Sequence, residues 1–118
     1  MNPSGGDWKE MFQAAGTGDV ELVRYYLRQG IDPNYMHPEF LTNPLIESAQ
    51  EGQLDVVKLL IENGADPFLK SEMDGWNALE VAKIRKHKMV VQFLEEAMGI
   101  ETKESFLQKI QSKFRRKA

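Results

Sequence analysis

The sequence contains no cysteine, which excludes a disulfide and a thiolate ligand for a metal ion. It has two histidines, His37 and His87, which lie far apart in the chain and lack the spacing of a metal-binding pair. A nucleophile elbow and a phosphate-binding loop are also missing, and no apolar run is long enough to span a bilayer. These absences argue against an enzyme, a bound cofactor or metal, a small-molecule substrate and an integral membrane protein.

The first residues of the sequence, 1–7, are polar and rich in glycine. They lack the charged start and the apolar stretch of a secretory signal, and we interpret them as a flexible N-terminus. Together with the missing cysteine, this favours a cytoplasmic location.

Charge is distributed unevenly along the chain. Of 118 residues, 42% are hydrophobic and 28% are charged, as in ordinary globular proteins, and the net charge is −3. Residues 103–118 carry six basic groups and one acidic group, whereas the rest of the chain is strongly acidic. An acidic body favours a partner with basic groups, mostly by speeding encounter, and nucleic acid is not expected.

The chain contains a repeat with an offset of 34 residues. Residues 14–34 align with 48–68 without a gap, so that Gly18 falls on Gly52 and Val23 on Val57. A third copy follows at the same offset, with Leu45 falling on Leu79. A repeat of this period predicts stacked structural units, of which about three are needed for stability.

Each copy has the pattern of a helical hairpin. In the second copy, we expect helices over 44–51 and 54–63, because Pro44 suits a first turn and Gly64 suits the residue after a helix. The second helix is too apolar to be exposed and must be covered by its neighbours. The segments 35–42 and 69–76 then project as loops between hairpins.

Three short motifs carry a family resemblance: N-P-L-I-E-S-A at 43–49, N-G-A-D at 63–66 and D-G-W-N-A-L-E-V-A at 74–82. They resemble the ankyrin repeat, and the resemblance covers residues 8–98. It implies an all-α fold, an ankyrin-repeat solenoid of three stacked helix-turn-helix units with projecting loops. The three units would be 8–41, 42–75 and 76–98, followed by a basic amphipathic C-terminal helix within 99–118.

The sequence departs from the family pattern in two ways. The usual Thr is Asn43 and Asn77, which can imitate its hydrogen bonds, but the usual His is Ile46 and Glu80. We therefore expect the loop around 42–46 to be less firmly tied. The first and third copies differ from the second in ways typical of end caps, for which polar outer faces are expected.

The resemblance also implies a protein–protein interaction module that binds its partner through the concave face and the loop tips. The alternative is a regulatory or inhibitory, immunity-like subunit of a specific enzyme. Family contacts carried over to this sequence fall on the loops and on the ends of the first helices. These positions are Tyr35, Met36, His37, Glu39, Phe40 and Thr42; Lys70, Glu72, Met73, Asp74 and Trp76; and Gly16, Thr17, Gln50, Glu51, Ile84 and Arg85.

Aromatic residues leave two questions open. Trp8 and Trp76 occupy the same repeat position, and each either anchors a partner or packs on its own stack, Trp8 as an end cap. Phe40 and Met73 would add apolar area at the loop tips. Tyr25 and Tyr26 align with apolar residues of the other copies, and we expect both in the core.

The tail, residues 101–116, reads as a further helix with Phe106, Leu107, Ile110 and Phe114 on one face. Its apolar face either docks on the last hairpin and closes the stack, which we favour, or contacts a membrane surface or an anionic partner, or the tail is mobile.

Overall fold

The structure is a computed structural model that describes residues 5–116, and within them the chain forms seven helices and no strand. Side chains of residues 5, 104, 105 and 114–116 are not described. The predicted all-α fold is confirmed. The helices are α1 Gly5–Thr17, α2 Val20–Arg28, α3 Pro44–Gln50, α4 Leu54–Glu62, α5 Ala78–Ile84, α6 Lys88–Ala97 and α7 Lys103–Arg116.

The second hairpin shows how the sequence sets the helix ends. Asn43 caps α3, because its side-chain oxygen accepts a hydrogen bond from the Ile46 amide at 2.9 Å. Gly52 then takes a positive φ of 73° in the turn, and Gly64 takes one of 90° after α4. The helices predicted at 44–51 and 54–63 are confirmed, each ending one residue earlier than expected.

The hairpins stack in two layers, with α1, α3 and α5 in one and α2, α4 and α6 in the other. Equivalent positions of the three copies meet in the core between the layers. Met11, Leu45 and Leu79 are buried in the first layer, and Tyr26, Leu60 and Leu94 in the second. The offset of 34 therefore corresponds to one step along the stack, and apolar burial between neighbouring copies holds the hairpins together.

The two end hairpins retain apolar side chains on the outside, which the expectation of polar caps did not foresee. Tyr25, expected in the core, is 53% exposed, because α2 has a neighbouring helix of its layer on one side only. Tyr26 is buried as predicted, and its hydroxyl donates to the Glu10 carboxylate, which raises the pKa of Tyr26 to about 12. At the other end Met89 is exposed beside the exposed Lys88.

The turn around 42–46 is firmly tied, so the expectation of a loose loop was wrong. Asn43 is buried and caps its helix by accepting from the Ile46 amide, and the Ile46 side chain fills core space. The next loop adds two bonds to the Leu41 carbonyl, from the Glu72 amide at 2.9 Å and from the Ser71 hydroxyl at 3.0 Å. In the third copy Glu80 closes a capping box with Asn77.

The two ends of the chain differ from expectation. Helix α1 begins at Gly5, so residues 5–7 of the predicted flexible segment are helical, and residues 1–4 lie outside the described part. Helix α7 forms as predicted, but it does not pack extensively on any other helix. Its apolar side chains Phe106 and Leu107 are 50% and 46% exposed. The favoured docking of this face on the last hairpin is therefore wrong, and the predicted position of the Phe114 side chain lies outside the described residues.

Candidate protein-binding surface

A groove of about 500 Å³ lies on the face formed by the first helices, between α1, α3 and the first projecting loop. It combines apolar ring surface with charged groups. It is lined by Lys9, Phe12, Gln13, Gly16, Thr17, Phe40, Glu47 and Glu51.

Glu47 is a partly desolvated charge in this groove. Its side chain is half-buried on α3, and burial raises its pKa, to which repulsion from Glu51 adds. The charge of Arg85 opposes this shift in the pKa of Glu47, but no hydrogen bond or ion pair from the described residues reaches the carboxylate.

The close approach of Gly16 shapes this corner of the groove. A Cβ at Gly16 would lie 3.0 Å from Oε1 of Glu47, so the glycine leaves room for the carboxylate between α1 and α3. Thr17, at the end of α1, turns its hydroxyl onto the backbone carbonyls of Gln13 and Ala14.

The first loop is anchored by an aromatic cluster formed by Trp8, Phe12, His37 and Phe40. Trp8 is 3% exposed and stacks on Phe12 and His37, with centroid distances of 5.1 and 4.9 Å. Trp8 therefore packs on its own chain and does not stand free as an anchor for a partner. His37 is buried and Phe40 is partly buried against the core, so neither stands free at a loop tip, because each packs on Trp8.

Other predicted positions of the first loop remain accessible to different degrees. Tyr35 is exposed and touches Trp8 edge-on, and Met36 and Thr42 are half-buried. Glu39 is exposed and lies 3.4 Å from Lys9, whose ammonium group also sits 5.8 Å from the centroid of Phe40. Lys9 and Glu39 thus form a charged rim above the aromatic cluster.

The second loop presents its apolar residues outward. Met73 is 66% exposed and Trp76 is 42% exposed, so Trp76 does not fold into the stack. The loop has a defined shape, because the Trp76 amide donates to Asp74 Oδ1 at 3.1 Å and the Trp76 carbonyl accepts from the Ser71 amide at 2.9 Å. Lys70, Glu72 and Asp74 are exposed around it.

The ends of the first helices form the far border of the surface. Glu51, Ile84 and Arg85 are exposed, and Gln50 is half-buried, with its carbonyl bound by His87 Nε2 at 2.9 Å. The structure therefore brings Glu51 together with the groove, while Ile84 and Arg85 belong to the next hairpin. His87 therefore has a structural role, linking the turn of the third hairpin to the second.

A family model for ankyrin repeats in three copies matches residues 11–104. The chain belongs to the ankyrin repeat family. This confirms the resemblance drawn from the motifs, and ankyrin repeats generally mediate protein–protein interactions without a catalytic role of their own.

Several proteins contain segments similar to this ankyrin chain. ARF GTPase-activating protein Git of Drosophila melanogaster is 31% identical over 90 residues, which are 76% of this chain and 12% of that protein. E3 ubiquitin-protein ligase hecd-1 of Caenorhabditis elegans is 39% identical over 85 residues, 70% of this chain and 3% of that protein. Cyclin-dependent kinase inhibitor 2A of Monodelphis domestica is 34% identical over 92 residues, 76% of this chain and 52% of that protein. The chain thus spans about half of the third relative and much less of the other two.

Across residues 5–116, no helix is both long and apolar enough to pass through a membrane. Within the same residues, no group of three or more His, Cys, Asp or Glu side chains is arranged to hold a metal ion.

Sequence reasoning missed Glu47, Lys9 and Phe12 as members of the surface. In the ankyrin pattern, Glu47 occupies the variable position, between two positions that the pattern specifies and that Ile46 and Ser48 fill here. A charge at a variable position of the first helix was the available signal, because that position faces the groove rather than the core.

Proposed function

We propose that this ankyrin protein binds a segment of another protein in the groove between α1 and α3. The segment carries a lysine or arginine next to an apolar side chain. The observation that supports this most directly is the half-buried carboxylate of Glu47, which the described residues leave without a hydrogen bond or ion pair.

The chemistry of the groove selects this kind of ligand. A cation at Glu47 would also relieve the repulsion from Glu51, which raises the pKa of Glu47 in the free protein. The aliphatic stem of a lysine or arginine would lie against the exposed parts of Phe12 and Phe40. Arginine fits best, since its planar group binds a carboxylate with two bonds and stacks on rings.

The second loop extends the proposed surface. Met73 and Trp76 are exposed side chains on a loop whose shape is fixed by internal hydrogen bonds, and tryptophan is enriched among residues that dominate binding energy. We propose that they anchor the partner beyond the groove, with Tyr35, Glu39, Lys70, Asp74, Ile84 and Arg85 at the rim. The protein itself is not an enzyme in this proposal.

A selection from a displayed library of random peptides tests the groove without knowledge of the natural partner. We expect the selected peptides to be enriched in Arg or Lys beside an apolar residue. The double variant Glu47→Gln/Glu51→Gln should lose their binding, whereas Asp55→Asn/Glu62→Gln, which removes two exposed acids of α4, should bind as the wild type does. Selected peptides without basic residues, or equal loss in both variants, would refute the groove.

The loop is tested with the natural partner, captured from an extract of the source cell. Met73→Ala/Trp76→Ala should reduce recovery of the partner that the wild type captures. Leu22→Ala/Tyr25→Ala removes exposed apolar surface from α2 and should leave recovery unchanged. Equal recovery by all three proteins would show that the second loop takes no part.

A second function, inhibition of a specific enzyme, is favoured by the similarity to cyclin-dependent kinase inhibitor 2A. It uses the same surface and differs only in what binding does to the partner. If the captured partner has an enzymatic activity, saturating wild-type protein should lower it and the Glu47→Gln/Glu51→Gln variant should not. Full activity of the partner in the saturated complex would leave an interaction module without an inhibitory role.

A further inference from the structure

Helix α7 carries an apolar stripe that the rest of the described chain leaves uncovered. Phe106 and Leu107 are 50% and 46% exposed, and Ile110 lies with them on the same side of the helix at helical spacing. Soluble proteins rarely expose contiguous apolar side chains of this size, and such patches mark sites that a partner or a membrane covers.

The stripe is bordered by positive charge. Lys103, Lys109 and Lys113 are exposed, and residues 103–118 contain one acidic group against six basic ones. Glu101 lies 3.4 Å from Lys109, but both side chains are exposed, so this pair holds the lysine only weakly. An apolar stripe with lysine borders is the pattern of a helix that lies in the interface of an anionic membrane.

The groove between α7 and α6 has a different character. Its volume is about 820 Å³, and its lining mixes Lys83, Lys86, Lys88 and Lys103 with Glu95 and Glu96. Because this groove contains charges of both signs, it does not favour a peptide partner of either net charge. The stripe itself is bordered by Lys109 and Lys113, with Glu101 beside them, and it lies on a helix that packs extensively on no other described helix. A mainly basic, convex surface of this kind suits a flat lipid surface better than a peptide.

We infer that α7 binds reversibly to an anionic lipid surface, with Phe106, Leu107 and Ile110 inserted among the headgroups and the lysines near the lipid phosphates. The helix lies parallel to the membrane and does not cross it. The ankyrin stack, with its separate groove between α1 and α3, stays in the aqueous phase and is free to hold a protein partner at the surface.

Sedimentation with lipid vesicles tests this inference on the full chain. The protein should bind vesicles of phosphatidylcholine mixed with phosphatidylserine, should bind vesicles of phosphatidylcholine alone much less, and should be released by rising salt. Lys109→Gln/Lys113→Gln should weaken binding by about 25-fold, since each lysine near an anionic surface contributes about fivefold. Phe106→Ser/Leu107→Ser should abolish it.

A matched control separates position from total charge. Arg28→Gln/Lys58→Gln removes the same charge from exposed sites on the ankyrin stack and should bind vesicles nearly as well as the wild type does. Equal binding to both kinds of vesicle, or equal losses in both charge variants, would overturn the inference.

Two further outcomes would also overturn it. Binding of the wild type to polyglutamate, together with no binding to vesicles, would assign α7 to an acidic protein partner. A lower melting temperature of the Phe106→Ser/Leu107→Ser variant would show that the stripe packs on the ankyrin stack. An unchanged melting temperature, with loss of vesicle binding, supports the membrane contact.

Discussion

His87 Nε2 donates a hydrogen bond to the backbone carbonyl of Gln50 at 2.9 Å, which ties the turn of the third hairpin to that of the second. The Gln53 side chain donates the equivalent bond to the Gly16 carbonyl at 3.1 Å, and both residues lie 34 positions before His87 and Gln50. The ring of His87 also fills the space beside Gly52, where a Cβ would lie 2.6 Å from Nδ1. His87 and Gln53, at equivalent positions, therefore each link their hairpin to the preceding one by the same hydrogen bond.

The first prediction concerns this link. Replacement His87→Ala should lower the free energy of unfolding by about 1 kcal/mol, the net contribution of one such hydrogen bond. His87→Gln should lose much less, because Gln53 already makes the bond with a glutamine side chain. Urea denaturation of the two variants measures the difference. Equal losses in both would show that ring packing on Gly52, and not the hydrogen bond, stabilises the turn.

The second prediction concerns Lys86, which has a positive φ of 61° where the first two hairpins have Gly18 and Gly52. A side chain in this conformation costs about 1 kcal/mol, which glycine avoids. Lys86→Gly should therefore raise the free energy of unfolding by about 0.5 to 1 kcal/mol in a urea titration. As a control, Gln92→Gly in the interior of α6 should lower it by about 1 kcal/mol. Destabilisation by both changes would contradict the argument.

The third prediction concerns Trp8 in the aromatic cluster. Trp8→Ala should lower the free energy of unfolding by about 3 to 5 kcal/mol, because it removes the ring that covers Phe12, His37 and Phe40. Trp8→Phe should cost far less. It keeps much of the packing and removes an indole N–H that is buried without a partner among the described residues. Thermal unfolding followed by circular dichroism ranks the variants, and similar losses in both would disprove the role of packing.

The fourth prediction concerns the pH dependence of Glu47. Burial raises its pKa in the folded protein, so the folded state binds this proton more tightly than the unfolded chain does. The stability gained from that proton is present at low pH and is lost as pH rises through the folded pKa. At pH 7, Glu47→Gln should therefore raise the free energy of unfolding slightly, by less than about 1 kcal/mol for a half-exposed group.

The increase in the free energy of unfolding caused by Glu47→Gln should become smaller as the pH falls, because wild-type Glu47 then becomes protonated and neutral as well. Melting temperatures of the two proteins across acidic and neutral pH give the comparison, with Glu62→Gln as a control for an exposed glutamate. A constant difference at all pH values would show that ionisation of Glu47 is not its cause.

The internal part of the fold followed from the sequence, because each position of the second hairpin has an equivalent on both sides. The offset of 34 places Leu45 and Leu79 at equivalent positions, and both are buried. The same argument failed for Tyr25, whose equivalent Leu59 is buried between two neighbours while Tyr25 faces the open end of the stack. Alignment gives the residue type of a position but not the number of neighbours that cover it.

The candidate surface was less predictable for a related reason. Projecting loops were placed correctly, but exposure within them depends on packing across loops. Phe40 was expected at a tip and instead lies against Trp8, a contact between distant segments that no local pattern encodes. The apolar stripe of α7 was read as a docking face because hydrophobic periodicity shows that a face needs cover and does not show what covers it.

The link made by His87 and by Gln53 has a consequence for how the protein can vary in length. The second hairpin takes part in both inter-hairpin hydrogen bonds. Its Gln53 side chain donates to the first hairpin, and its Gln50 carbonyl accepts from the third. A tandem duplication of residues 42–75 would therefore place the Gln53 side chain of one copy next to the Gln50 carbonyl of the other. The core side chains of each copy would likewise pack against the same residues of the next copy. The internal unit is a self-matching building block, so a gene encoding it can lengthen the protein in whole steps without redesigning either end.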